Sequence, residues 1–222
     1  DMTHGHLASP SACEATDRAP ALPGRLSPAE VVSRIFTTFL QRGHRQYGES
    51  VTELQHALQC ATFAGDAGER AEVIASCLLH DFGHLLHELG EDIADHGVDS
   101  RHELLGANHL ARWFPPEVVE PIRMHADAKR YLCRREEGYF GALSPASQRS
   151  LELQGGPMST EEAREFEAHP HFELALRVRR YDDRGKVPGM PTPDLATFRL
   201  LLESLVHAQT AVPAPSPSLP GA

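Results

Sequence analysis

The chain has 222 residues, 41% hydrophobic and 23% charged, the make-up of one ordinary globular domain able to bury a core. Its 21 Lys+Arg against 31 Asp+Glu leave a net charge of −10. That excludes broad binding to nucleic acid or anionic membrane, though not to a small anion held by a few local cations.

Residues 1–26, rich in Ala, Pro and Ser and without apolar periodicity, are expected to form a disordered tail. A single all-α domain is expected over 27–208. Ser27-Pro28 opens its first helix, with Glu30 at capping-box spacing, and Val31, Ile35, Phe36, Phe39 and Leu40 form a helical stripe. Helical patterns then run over about 50–65, 69–89 and 101–113. Ser144-Pro145, Ser159 with Glu162, and Thr192-Pro193 mark further helix starts. Leu195, Phe198, Leu202 and Leu205 form the last stripe. Gly/Pro breaks fall near 114–116, 155–157 and 185–191, and 209–222 reads as a Pro-rich disordered tail. Strand-like alternation is scarce, so the expected fold is a helical bundle.

Cys60 and Cys77 fall in apolar helical stretches and read as buried, inert thiols; no CxxC pair is present. No run reaches the roughly 18–20 apolar residues of a membrane helix, and DMTHGHLASP lacks a signal pattern, so the cytoplasm is the expected compartment.

The composition has one anomaly, fourteen histidines, and neutral imidazole is the commonest metal ligand. Within ASCLLHDFGHLLHE (75–88), His80 and Asp81 end an apolar run, where an ionised carboxylate needs a partner or a cation. A lone His-Asp pair is ordinarily surface decoration. Here it has company: His56 in ELQHALQCA, His102 in SRHELLGANHL, His125 in IRMHADAKRYL and Asp182 in VRRYDDRGK, each beside apolar neighbours. Four imidazoles and two carboxylates suit two divalent or trivalent ions with a carboxylate bridge. Mixed nitrogen and oxygen donors fit Fe or Mn better than Zn or Mg. His84, one helical turn after His80, is expected to line the same cavity. His4, His6, His44, His87, His96, His109, His169, His171 and His207 read as tail or surface residues. Lys129, one turn after His125, and Arg179, three residues before Asp182, would set cations beside the ligands.

The order H…HD…H…H…D is characteristic of HD-domain metalloproteins. Most of these hydrolyse phosphate esters, and a smaller class uses two irons to activate dioxygen. Three further strings separate the classes: Gln59-Cys60-Ala61 after His56; HADAKRYL from His125 to Leu132; and SQRSLELQGGPM from Ser147 to Met158. With YDDRGK (181–186), they closely resemble the HD-domain mixed-valent diiron oxygenases that cleave 1-hydroxyphosphonates, over about Tyr47 to Val187.

The resemblance implies that His56, His80, Asp81 and Asp182 bind one iron, and that Asp81 bridges to a second held by His102 and His125. It implies a mixed-valent Fe(II)/Fe(III) pair with dioxygen as co-substrate. Lys129, Arg179, Ser147, Ser150 and Gln154 would bind the phosphonate, and Glu49 with His84 would recognise an amine on the substrate. In the family a Tyr three residues before that Glu ligates iron at rest. Here Gln46-Tyr47-Gly48-Glu49 displaces the Tyr by one position, so Tyr47 either reaches the metal or packs. The implied substrates are 2-amino-1-hydroxyethylphosphonate, its trimethylammonio analogue and hydroxymethylphosphonate. The alternatives are an HD phosphohydrolase acting on a nucleotide or other phosphomonoester, and a non-enzymatic phosphonate-sensing module.

Overall fold

The computed structural model describes residues 25–47, 50–86 and 101–207. Most of both terminal segments, and Glu49, His87 and His96, lie outside the described residues. The first helix, α1 (Pro28–Arg42), starts at the expected capping box: Glu30 N–H donates to Ser27 Oγ (3.3 Å) and Ser27 N–H to Glu30 Oε2 (2.7 Å). Its stripe is buried except for Leu40, which is 70% exposed and belongs to the opposite face. Leu26 also packs on the core.

A two-stranded antiparallel ribbon follows, β1 (Gln46–Tyr47) and β2 (Val51–Thr52), with Tyr47 opposite Val51. Thr52 and Gln55 then form a second capping box for α2 (Glu53–Asp66). The pattern expected to run as one helix over 69–89 breaks. It forms α3 (Ala71–Leu79), a corner at His80-Asp81 and a 3₁₀ turn (Phe82–Leu86). The rest of the domain is helical: α4 (His102–Leu110), α5 (Pro116–Arg135), α6 (Tyr139–Ala142), α7 (Pro145–Leu153), α8 (Thr160–Glu167) and α9 (Phe172–Arg184). Ser144 and Ser159 cap α7 and α8 as expected. Thr192 does not cap the final element. Asp194 does, accepting from Thr197 N–H (3.0 Å), and the chain turns through Leu195–Phe198 into α10 (Arg199–Leu205).

The main core joins α1, α3, α4, α5 and α10 around Phe36, Phe39, Leu79, Phe82, Phe114, Ile122 and Leu202. Burying each such side chain contributes about 1.5–3 kcal/mol. Ser76 Oγ donates to Val118 O (2.9 Å) and stitches α3 to α5. A second cluster of smaller groups, Cys60, Ala64, Val73, Cys77 and Val178, lets α9 lie close on α2 and α3. That close approach puts Asp182 beside the histidines. Both cysteines are buried, and burial pushes both thiols up, as inert core thiols require. His109, expected at the surface, instead packs its ring against Phe82 and Trp113.

Candidate metal centre

Five segments converge on one point. His56 comes from α2, His80 and Asp81 from the corner after α3, His102 from the start of α4, His125 from mid-α5 and Asp182 from the end of α9. The six expected ligands are brought together, and all but His102 are at least nine-tenths buried. They form two histidine pairs. His56 Nε2 lies 3.1 Å from His80 Nε2, and His102 Nε2 lies 3.0 Å from His125 Nε2. Asp81 stands between them. Its Oδ2 faces the first pair at 3.4 and 3.1 Å, and its Oδ1 faces the second at 3.2 and 3.4 Å. Asp182 Oδ1 joins the first pair only, at 3.4 and 3.9 Å.

The backbone fixes what these nitrogens can do. Nδ1 of His56, His80 and His125 each faces a carbonyl: Gly185 O (2.8 Å), Cys77 O (2.9 Å) and Ile122 O (2.7 Å). A carbonyl only accepts, so each Nδ1 keeps its proton and each Nε2 turns a lone pair inward. Paired lone pairs beside carboxylate oxygens repel unless a cation or added protons lie among them. Asp81 Oδ2 and Asp182 Oδ1 are buried without a hydrogen bond among the described residues. Two nitrogens bound at right angles to one ion at roughly 2.1 Å lie about 3.0 Å apart, which is the spacing of both pairs. The donor set therefore fits two metal ions bridged by Asp81.

The electrostatics agree. Burial opposes charge on Asp81, yet His80, His102, His125 and His56 hold its carboxyl well below the usual range. Burial likewise opposes charge on His56, yet Cys60, Asp182 and Asp81 hold it well above the imidazole value. Protons and cations compete for such groups, so metal uptake releases protons and weakens in acid. Cys60 Sγ lies 3.7 Å from His56 Nε2, but its raised pKa and its bond to Tyr181 O (3.4 Å) make it a packing thiol.

Arg179 lies beside Asp182 as expected, but the wider network that supports the centre was not evident from the sequence. Arg179, buried, donates to Asp182 Oδ2 (2.6 Å), to Asp183 and to Tyr139 Oη (3.2 Å), while Tyr139 donates to Asp183 Oδ2 (2.5 Å). This network turns the other Asp182 oxygen toward the histidines. Gln59 clamps the residues after α9, accepting from Val187 N–H (2.9 Å) and donating to Val187 O (2.8 Å). Gly185 has to be glycine: a Cβ there would lie 2.3 Å from Cys60 Sγ and 3.1 Å from His56 Nδ1.

A polar cradle borders the centre. Lys129 is buried and donates to Ser150 Oγ (2.6 Å) and Ser147 O (3.4 Å). Burial above all, then Arg179, lowers its pKa to about 7. Ser147 and Ser150 lie one turn apart on α7 and Gln154 caps its C-terminal end, with Gln154 Oε1 buried without a hydrogen-bond partner among the described residues. Tyr47 stacks on His56, with ring centroids 3.9 Å apart and planes 10° apart. His84 does not stand over His80 as an α-helix would place it. The 3₁₀ turn swings it onto His102, where the rings stack at 3.9 Å, within reach of Asp81.

This arrangement defines an HD-domain metal centre, and the HD domain model matches residues 54–166. The chain is 44% identical to the hydroxymethylphosphonate dioxygenase of Gimesia maris, over 82% of this chain and 90% of the relative. It is 42% identical to the [1-hydroxy-2-(trimethylamino)ethyl]phosphonate dioxygenase (glycine-betaine-forming) of Leisingera caerulea, over 82% of this chain and 93% of the relative. The chain belongs to the HD-domain family and, within it, to the group that contains these phosphonate dioxygenases.

Proposed function

We propose that this chain is a non-haem diiron dioxygenase that cleaves the C–P bond of a small 1-hydroxyphosphonate, giving a carboxylate and inorganic phosphate. The observation that carries this reading is Asp81 offering one oxygen to each of two histidine pairs, beside a buried lysine–serine cradle. The names of the two relatives supply the reaction class. For hydroxymethylphosphonate the balance is HOCH₂PO₃²⁻ + O₂ → HCOO⁻ + HPO₄²⁻ + H⁺. The C–P bond breaks, the carbon is oxidised by four electrons, and dioxygen is fully reduced.

When bound, a mixed-valent Fe(II)/Fe(III) pair supplies the redox chemistry that activates dioxygen. His56, His80 and Asp182 would hold one iron and His102 and His125 the other, with Asp81 serving both. The second set offers fewer protein donors than the first. Lys129, Ser147, Ser150 and Gln154 bind the phosphonate. Two of the three Lys129 N–H groups have partners among the described residues, which leaves one for an anionic oxygen. Arg179 adds charge to this cradle and orients Asp182. His84 faces the C2 substituent, and Tyr47 shields the His56 side; Glu49, expected to share the first role, lies outside the described residues. The expected setting is the cytoplasm, and no helix among the described residues is long and apolar enough to cross a membrane.

Iron-loaded protein should release phosphate in air from one or more of the three 1-hydroxyphosphonates, and none from nucleoside monophosphates or other phosphomonoesters. Turnover of phosphomonoesters alone would point to the hydrolase instead. Lys129→Ala should keep both irons and weaken phosphonate binding about 10–100-fold, the worth of a charge-assisted hydrogen bond. The sign of the pH dependence follows from the lowered pKa of Lys129. Its ammonium is charged below about 7 and lost above it, so affinity falls as pH rises through that range. Lys129→Arg, charged throughout, should flatten the fall. An unchanged KM profile in both variants would remove Lys129 from the cradle.

A further inference from the structure

One cation at this centre has no part in the scheme above. Lys186 follows α9 on a segment tied to α2 on both sides. The Gly185 carbonyl accepts from His56 Nδ1 (2.8 Å), and Val187 exchanges two hydrogen bonds with Gln59 (2.9 and 2.8 Å). The backbone at Lys186 is thereby fixed. Lysines on an acidic protein ordinarily reach into water; this side chain turns inward and is only 13% exposed.

Its ammonium touches both halves of the site. It donates to Ser147 Oγ (3.0 Å) on the cradle side. It lies 3.9 Å from Asp182 Oδ1, the carboxylate oxygen that faces His56 and His80. It also stands 5.5 Å from the centroid of the Tyr47 ring, which stacks on His56. Ser147 is bracketed: Lys129 takes its carbonyl and Lys186 its hydroxyl oxygen.

We propose that Lys186 is a positioning residue that ties the phosphonate-binding serine to the metal-binding carboxylate. The proposal rests on the phosphonate reading of the site. A hydroxyl has one proton and two lone pairs. With Lys186 donating into one lone pair, the Ser147 proton points away from Lys186, so the serine acts as a donor to an anionic oxygen. The same ammonium, close to Asp182 Oδ1, holds that oxygen in register with the serine. Lys186 thus acts through Ser147 and Asp182 and needs no contact with the substrate.

The test is a double-mutant cycle on the iron-loaded full chain. Hydroxymethylphosphonate is titrated calorimetrically under strict anaerobiosis, with iron content measured on every variant. Lys186→Met and Ser147→Ala should each weaken binding about tenfold or more, with two irons retained. The double variant should be no weaker than the poorer single by more than about threefold, because both changes remove one interaction. Lys186→Arg, which restores a donor, should recover affinity to within about threefold of wild type. If Lys186→Met does not fold, Lys186→Gln takes its place in the cycle. Wild-type affinity in Lys186→Met, or losses that add in full with Ser147→Ala, would overturn the proposal while leaving the phosphonate reading intact. Absence of wild-type binding to hydroxymethylphosphonate and to both C2-substituted 1-hydroxyphosphonates would overturn both.

Discussion

Asp81→Asn is expected to empty both halves of the centre. Each carboxylate oxygen of Asp81 faces a different histidine pair, at 3.1–3.4 Å. An amide keeps the shape and one oxygen, so whichever way it turns, one pair meets an NH₂ group that donates into a lone pair a metal would use. The lost negative charge weakens the other site as well, since Asp182 is then the one carboxylate left among the six expected ligands. Affinity should fall about a hundredfold or more at each site, at least the loss seen when a mere outer-shell partner is removed. Turnover should fall with it. Thermal unfolding of the metal-free wild type and variant separates lost metal affinity from a lost fold. Metal analysis after dialysis is the readout. Retention of one ion at full occupancy would mean that Asp81 serves a single site.

Gly83→Ala is expected to give the largest loss of stability, with loss of activity. The 3₁₀ turn that carries His84 meets the first turn of α4 backbone to backbone. A Cβ on Gly83 would lie 1.9 Å from His102 O, 2.7 Å from His102 C and 2.9 Å from Gly106 N. None of these atoms can rotate away, so α4 has to move, and His102 moves with it. The cost is about 3 kcal/mol, at the upper end for overpacking. For a domain of this size that lowers Tm by roughly 6–12 °C. Displacing His102 by about 1 Å from Asp81 should cost turnover on the order of a hundredfold. Gly65→Ala is the matched control. Gly65 lies in α2 with nothing within 4 Å of its Cβ position, so alanine there should be neutral or stabilise by up to about 1 kcal/mol. Equal melting temperatures for Gly83→Ala and wild type would contradict the backbone contact.

These two positions mark where the sequence was informative and where it was not. Asp81 was legible because ligand order and helical context are properties of the chain itself. The caps at Ser27, Ser144 and Ser159 were legible for the same reason, since each bond spans three residues. The corner after Leu79 was not, because the apolar pattern runs on through Leu85 and Leu86. What stops the helix there is the close backbone approach of Gly83 to α4, a tertiary contact. Its consequence is that His84 stacks on His102 instead of standing one turn above His80. Leu40 continued a stripe by spacing but faces solvent, and Asp194 outcompeted Thr192 as a cap. The supports of the centre were the least legible. Gly185 meets His56 across 129 positions and Lys186 meets Ser147 across 39, so no local spacing could announce either contact.

The central claim joins a two-metal geometry to oxidative C–P cleavage, and oxygen stoichiometry tests it most directly. Iron-loaded protein is mixed with hydroxymethylphosphonate and with the two C2-substituted 1-hydroxyphosphonates, and oxygen uptake and phosphate release are followed together. The account predicts one O₂ consumed per phosphate released with at least one of them, and no phosphate when oxygen is withheld. Phosphate released at an undiminished rate under strict anaerobiosis would contradict it.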